Sequence, residues 1–293
     1  MKAKLPIYKI QHFKETFNEK DFYANDFISH IKHNHIISVA HKHDFFLAVL
    51  FTAGSGIHEI DFKKYAIKPG YVFMMSPGQM HHWSLSKDID GYVFFHTKDF
   101  YDSGFTLLSV LDYPFFSSVY NPPFISLNKK NSDILSQIFQ EIIKEYQNNA
   151  QLKFEKLHAL ITLVYIELSR HYALPLETKN ETYLLKLRAL EKFIDYHFKQ
   201  KKFPHEYADL MNISEKHLNR ICKESLNKTT GNFIIERIIL EAKRLLIHSR
   251  QTVSEVSLEL GYIDNSYFSR VFKKHTGETP VEFQNKYKIH ESF

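Results

Sequence analysis

Two arginines occupy matching places in two similar stretches of this chain. The first stretch runs from Glu206 through Ala208, Ser214, Lys216, Asn219 and Arg220 to Lys223, and the second from Glu255 through Ser257, Gly261, Ser266, Ser269 and Arg270 to Lys273. Ala208 and Ser257 match at an offset of 49 residues and Arg220 and Arg270 at 50, so the second copy carries one extra residue in its turn. A guanidinium can donate two parallel hydrogen bonds to a guanine edge or a phosphate. An Asn amide matches adenine, and Ser and Lys suit phosphate oxygens. The chemistry on offer is contact with nucleic acid. The candidate contacts are Ser214, Lys216, Asn219, Arg220 and Lys223 in the first copy, and Asn265, Ser266, Ser269, Arg270 and Lys273 in the second.

The flanking residues say which elements must hold those side chains. Each copy reads as a short helix, a break at Asn212 or Gly261, and a second helix, the pattern of a helix-turn-helix. Small residues at Ala208 and Ser257 let two helices cross closely. Gly261 and Asn212 can end a helix in the left-handed conformation. Ser214, and Asp264 or Asn265, suit the N-cap of the helix that follows. In those second helices Leu218, Ile221 and Cys222 share one face, as do Phe268, Val271 and Phe272, which leaves the candidate contacts outward. Between the copies, Ile234, Ile238, Ala242, Leu245 and Leu246 recur at helical spacing and predict a helix over Asn232–Ser249. Its length is about 27 Å, close to the roughly 34 Å of one DNA turn. One chain would then read two successive major-groove segments of double-stranded DNA.

The charge distribution points the same way. The formal net charge is +5. Residues 1–182 carry 19 Lys+Arg and 19 Asp+Glu, whereas residues 183–293 carry 19 and 14. Six of the seven arginines, Arg188, Arg220, Arg237, Arg244, Arg250 and Arg270, lie in that second half. A polyanionic partner explains this, and so does a lysine-rich surface kept for solubility, so charge alone leaves both open.

The 293 residues are too many for one typical domain, and 9 Gly with 9 Pro argue against long low-complexity tracts. The expected class is α+β with two domains. Residues 1 to about 125 read as short strands broken by Ala53-Gly54-Ser55-Gly56, Lys68-Pro69-Gly70 and Ser76-Pro77-Gly78, which favours a small barrel or sandwich. Ile57 to Phe62 alternates, placing Ile60 and Phe62 on one face. Val72–Met75 and Tyr92–Phe95 read as strands buried on both sides. Residues 131–172 change to helical period and predict a hairpin broken at Gln147-Asn148-Asn149. Its two apolar stripes fit either a buried core or one face kept for a second copy of the chain, a homodimer. Residues 1–172 form the first domain, 173–182 a polar linker, and 183–293 the second domain, with helix-turn-helix units at about 205–224 and 254–275. The single cysteine, Cys222, fits a reducing compartment. The start, MKAKLPIYKI, has no signal-peptide core, and the longest uncharged apolar run, Phe45–Ile57, is too short to span a bilayer. A cytoplasmic protein with no membrane partner is expected.

The stretches Arg237–Leu246, Val253–Tyr262 and Ser266–Phe283 resemble the AraC/XylS signature, a resemblance covering about 100 residues. It implies a bipartite helix-turn-helix transcription regulator, an activator or a repressor, with promoter DNA, a small-molecule effector and RNA polymerase among its partners. By position it carries DNA contacts onto Lys216, Asn219 and Arg220, and onto Asn265, Ser266, Ser269 and Arg270. Ser257 departs from the Ala common there.

The first half resembles, more weakly, the cupin-like sensor of that family, on its Gly-Ser-Gly turn, Ile67–Gly70 and Ser76–His81. Metal cupins carry His-x-His, a Glu and a later His. Here His41, His43 and His81 or His82 are present, while Leu47 and Ala48 stand where the Glu is expected. No bound metal or cofactor is therefore expected, and His41, His43, His81, Trp83, Tyr92 and Phe94 are the candidate lining of an effector pocket. No Ser-His-Asp order, phosphate loop or carboxylate pair marks a catalytic site, so an enzyme is not expected. The alternative is a metal-dependent cupin enzyme with an accessory helical domain.

Overall fold

The computed structural model describes residues 7–13, 20–33, 40–104, 108–116, 122–172, 181–248 and 251–290. The expected linker falls mostly outside them, as does Arg250. The chain divides into two compact units, Pro6–Leu174 and Pro175–Phe293.

In the first unit two five-stranded sheets face each other. One has the order β1 (Ile7–Tyr8), β3 (His41–His43), β8 (Met80–Leu85), β5 (Gly56–Ile60), β6 (Lys63–Ile67). The other has β10 (Phe124–Ser126), β7 (Tyr71–Met75), β4 (Phe46–Ala53), β9 (Asp90–His96), β2 (Phe22–Asp26). All pairings are antiparallel except β1 with β3. Val72, Phe73, Met74 and Met75 of β7 are all buried. A strand with an apolar layer on each side needs no polar alternation. The alternation after Ile57 ends sooner than expected. Asp61 and Phe62 have φ of 46° and 69° and form the tight turn between β5 and β6, so Phe62 is not part of the strand's inner face. The Asp61 carboxylate accepts from the Met80 amide at 3.2 Å, which offsets part of the cost of a left-handed turn.

Helices α1 (Phe27–His33) and α2 (Lys98–Asp102) are short. The hairpin is α3 (Lys129–Gln147) and α4 (Lys153–His171). Leu135, Phe139 and Ile142 of α3 and Leu157, Ile161, Val164, Tyr165 and Leu168 of α4 are buried. They join one core with the outer face of the second sheet, where Phe94 lies 5.1 Å from Phe139 and 6.0 Å from Tyr165 between ring centres.

Among the described residues the second unit is entirely helical: α5 (Glu181–His197), α6 (Pro204–Leu210), α7 (Glu215–Leu226), α8 (Thr230–His248), α9 (Val253–Glu259), α10 (Asn265–Thr276) and α11 (Pro280–His290). Helices α6–α7 and α9–α10 are the two repeated units. Helix α8, with 19 residues and a length of about 28 Å, joins them.

Candidate nucleic-acid interface

Local chemistry sets where α7 and α10 begin and end. The Ser214 hydroxyl accepts from the His217 amide at 3.2 Å, and the Asp264 carboxylate accepts from the Ser266 amide at 2.7 Å, so Asp264 rather than Asn265 is the second cap. Asn227 and Gly277 close the helices in the left-handed conformation, with φ of 52° and 85°. Both helices have 12 residues. Leu218, Ile221 and Cys222 are buried under α7, and Phe268 and Phe272 under α10, with Val271 half-buried. That packing decides which sides face water.

Eight of the ten candidate contacts are exposed: Ser214, Lys216, Arg220, Lys223, Asn265, Ser266, Arg270 and Lys273. Asn219 and Ser269 are half-buried, and they differ in an instructive way. The Asn219 Oδ1 accepts from the Thr230 amide at 3.1 Å and so caps the start of α8. The position equivalent to Thr230 in the second copy is Pro280, which has no amide proton, so Ser269 has no such duty. Asn219 is thereby oriented by α8, with both NH2 protons and one Oδ1 lone pair left for a base.

The two arginines also sit differently. Arg220 Nη2 lies 2.9 Å from His217 Nδ1, and Lys186 Nζ lies 3.2 Å from His217 Nε2. A neutral imidazole has one acceptor nitrogen, so one of these cations donates and the other is spare. Partial desolvation, with Lys186 and Arg220 beside it, lowers the His217 pKa. Arg270 has a side chain 71% exposed, with Asp264 at 3.9 Å and the Tyr267 ring centre 5.9 Å away. His217 and Tyr183, whose ring centre lies 5.9 Å from Arg220 Cζ, frame Arg220, and Tyr267 frames Arg270. The three-residue spacing of His217 from Arg220 and of Tyr267 from Arg270 was the available signal for these two neighbours. Two arginines counted in the basic half face inward. Arg237 donates to Asp195 at 2.6 Å and to Glu241 at 3.2 Å over the Phe198 ring, and Arg244 is buried beside Glu241. They fasten α8 rather than meet a polyanion.

In the first unit the strand registers bring the histidines together. His41 pairs with His81 across β3–β8, and His58 with Trp83 across β5–β8. Ring centres of His41, His43 and His58 lie 4.3, 5.0 and 5.1 Å from that of His81. His58 Nε2 and His81 Nδ1 share a hydrogen bond of 2.9 Å. His82, the alternative to His81, points away and lies 3.9 Å from Glu59. Burial lowers every one of these inner imidazoles for which a shift is resolved: His43 to about 3, His58 and His81 well below the usual value. They are neutral near pH 7. His43 Nε2, His58 Nδ1, His81 Nε2 and Trp83 Nε1 are buried with no hydrogen-bond partner among the described residues. Among the same residues no group of three or more His, Cys, Asp or Glu is placed to hold a metal ion.

Tyr92 and Phe94 do not belong to this lining. Both point to the hairpin side of β9, where the Tyr92 hydroxyl accepts from Gln140 at 2.5 Å and Phe94 packs on Phe139. Their neighbour Phe95 turns inward instead, 4.5 Å from Phe45 between ring centres. His58 is the inward residue that motif reading missed; its alternation with Ile60 was the signal.

An AraC-like ligand binding domain matches residues 26–164, and a helix-turn-helix domain matches residues 207–286. The chain belongs to the AraC/XylS family. It is a DNA-binding transcription regulator that responds to a small-molecule effector. As an AraC/XylS regulator it is 26% identical over 254 residues to the HTH-type transcriptional activator RhaR of Escherichia coli, covering 84% of this chain and 86% of that one. It is 25% identical over 244 residues to RhaR of Cronobacter sakazakii, covering 82% and 84%. Among solved structures, ToxT from Vibrio cholerae with an unsaturated fatty acid bound is similar at 13% identity and a TM-score of 0.43, covering 92% of this chain and 97% of that one. The C-terminal domain of AraT, a response regulator from Geobacillus stearothermophilus, is similar at 26% identity and a TM-score of 0.33 over 34% of this chain.

Proposed function

We propose that this regulator reads a bipartite promoter site by inserting α7 and α10 into two successive major-groove segments, and activates transcription there. The observation that carries the reading is the exposure of Arg220 and Arg270 at equivalent points of two equally long, equally capped helices. Lys216 and Lys223, with Lys273, supply phosphate contacts, while Arg220 and Arg270 supply base contacts. RNA polymerase is the partner such an activator would recruit; the two RhaR relatives are named transcriptional activators. The reading makes the protein a cytoplasmic regulator and not an enzyme. Among the described residues no helix is long and apolar enough to cross a membrane.

The effector site belongs to the inner face of the first unit, at His41, His43, His58, His81 and Trp83. Support comes from the four partnerless nitrogens there. All belong to uncharged groups, so they suit hydrogen bonds to a small polar molecule rather than an ion pair. Ile134 on α3 and Leu163 and Ile166 on α4 are exposed, which supports a homodimer formed through the hairpin.

Selection of bound duplexes from a random-sequence pool by the full-length protein tests the DNA reading. Two recurring motifs about one turn apart are expected; a pool with no enriched sequence overturns it.

A further inference from the structure

The two helix-turn-helix turns differ in a way the repeat does not require. The left-handed residue is Asn212 in the first, at φ 53°, and Gly261 in the second, at φ 80°. An Asn reaches this conformation readily, so the turn alone does not demand glycine at 261. The surroundings do. A Cβ there would lie 2.0 Å from the Lys199 carbonyl oxygen and 3.1 Å from Lys202 Nζ. Both lysines belong to the connection between α5 and α6, which leads into the first helix-turn-helix, α6–α7.

That connection is fastened at both ends. Lys199 Nζ donates to Glu259 Oε1 at 2.9 Å, and Glu259 Oε2 also accepts from Gln251 at 2.6 Å. Lys202 Nζ donates to the carbonyls of Phe198 and Lys199 at 2.5 and 2.7 Å while standing 5.3 Å from the centre of the Tyr262 ring. On the other side, the Glu206 carboxylate accepts the amides of Lys202 and Phe203 at 2.7 and 2.9 Å, tying the connection to the start of α6. Burial lowers the Lys202 pKa to about 8, as expected of an ammonium enclosed by protein groups. A path of contacts therefore runs from α6 to the turn ahead of α10, separate from α8.

We propose that the Lys199–Phe203 connection is a second strut, beside α8, that fixes α10 relative to α7 and so makes the domain accept one separation between its two half-sites. The proposal rests on the two-groove reading above. One inserted base pair moves the second half-site by about 3.4 Å and turns it by about 34°. A lone helix hinged at each end could follow that change; two struts cannot. Lys199, Lys202 and Gly261 are positioning residues in this scheme and need touch no DNA.

The test uses the full-length protein and the duplexes it recovers from a random-sequence pool. Wild type should return two motifs at a single separation, and a one-base-pair insertion should weaken its binding by roughly tenfold or more. The Lys199→Ser/Lys202→Met double variant and Gly261→Ala should return the same motifs over several adjacent separations, with the insertion penalty reduced at least severalfold. This ratio cancels the uniform loss of affinity that follows from removing two cations. If Gly261→Ala fails to melt cooperatively, the lysine pair decides. An unchanged single separation in the variants overturns the strut alone. A wild-type pool with a single motif overturns the two-groove reading and the strut with it.

Discussion

Arg220 and Arg270 are equivalent by position, yet Arg220 shares its His217 neighbour with Lys186 while Arg270 stands almost free. Changing either to Ala should cost ~1–3 kcal/mol of binding and relax preference at one base position, as measured by competition between duplexes differing at single positions. Asn219 and Ser269 should part company. Asn219→Ala removes the cap of Thr230 and should lower unfolding stability by about 1 kcal/mol. Ser269→Ala should change it by less than about 0.5 kcal/mol, both read from urea denaturation. The outward set was legible in the helical period; the capping role of Asn219 was not, because its partner lies 11 residues away across a turn. The buried imidazoles add a pH dependence with a definite sign. His30 and His43 have folded pKa values of about 3 and His96 of about 4, below the unfolded value near 6.5. Their contribution is complete above pH 6.5 and is lost as pH falls through the window toward 3. Each adds a slope of up to about 1.4 kcal/mol per pH unit. The slope between pH 6 and 4.5 should be shallower in His43→Gln, and an unchanged slope would contradict the assignment.

At the scale of elements, period was a good guide to helices and a poor one to doubly covered strands. The hairpin, its break and both helix-turn-helix units were legible because one buried face repeats every three to four residues. In Tyr92-Val93-Phe94-Phe95 every residue is apolar or aromatic, so nothing in the run says which side chain meets the barrel interior. Composition gives Phe94 and Phe95 equal claim to the histidine side, and only the strand's orientation separates them. The end of β5 was hidden for a related reason: Phe62 continues an alternation that the backbone breaks. On α4, Leu163 and Ile166 lie three residues apart and outward. Leu163→Glu/Ile166→Lys should convert a dimer to a monomer in light scattering of the full chain, with folding unchanged by circular dichroism. A dimer retained by the double variant rejects the hairpin interface.

For the whole molecule, two units of different composition divide two tasks. The first encloses partnerless nitrogens among aromatic walls; the second presents cations on two matched helices. Arg237 and Arg244 show that the charge excess overstated the DNA-facing set, since paired and buried arginines count equally in a sequence total. The exposed cations still require counterion release, so log Kd against log salt should be linear with a slope of roughly 0.9 per phosphate neutralised. Removing Lys216 or Lys273 should reduce that slope by about one.

Methylation protection of guanine N7, an atom of the major groove, is the most direct measurement on a selected duplex. Two protected patches about 10 base pairs apart on one face are expected, with Arg220→Ala exposing one and Arg270→Ala the other. A single patch, or two patches that persist unchanged in both variants, would contradict the account.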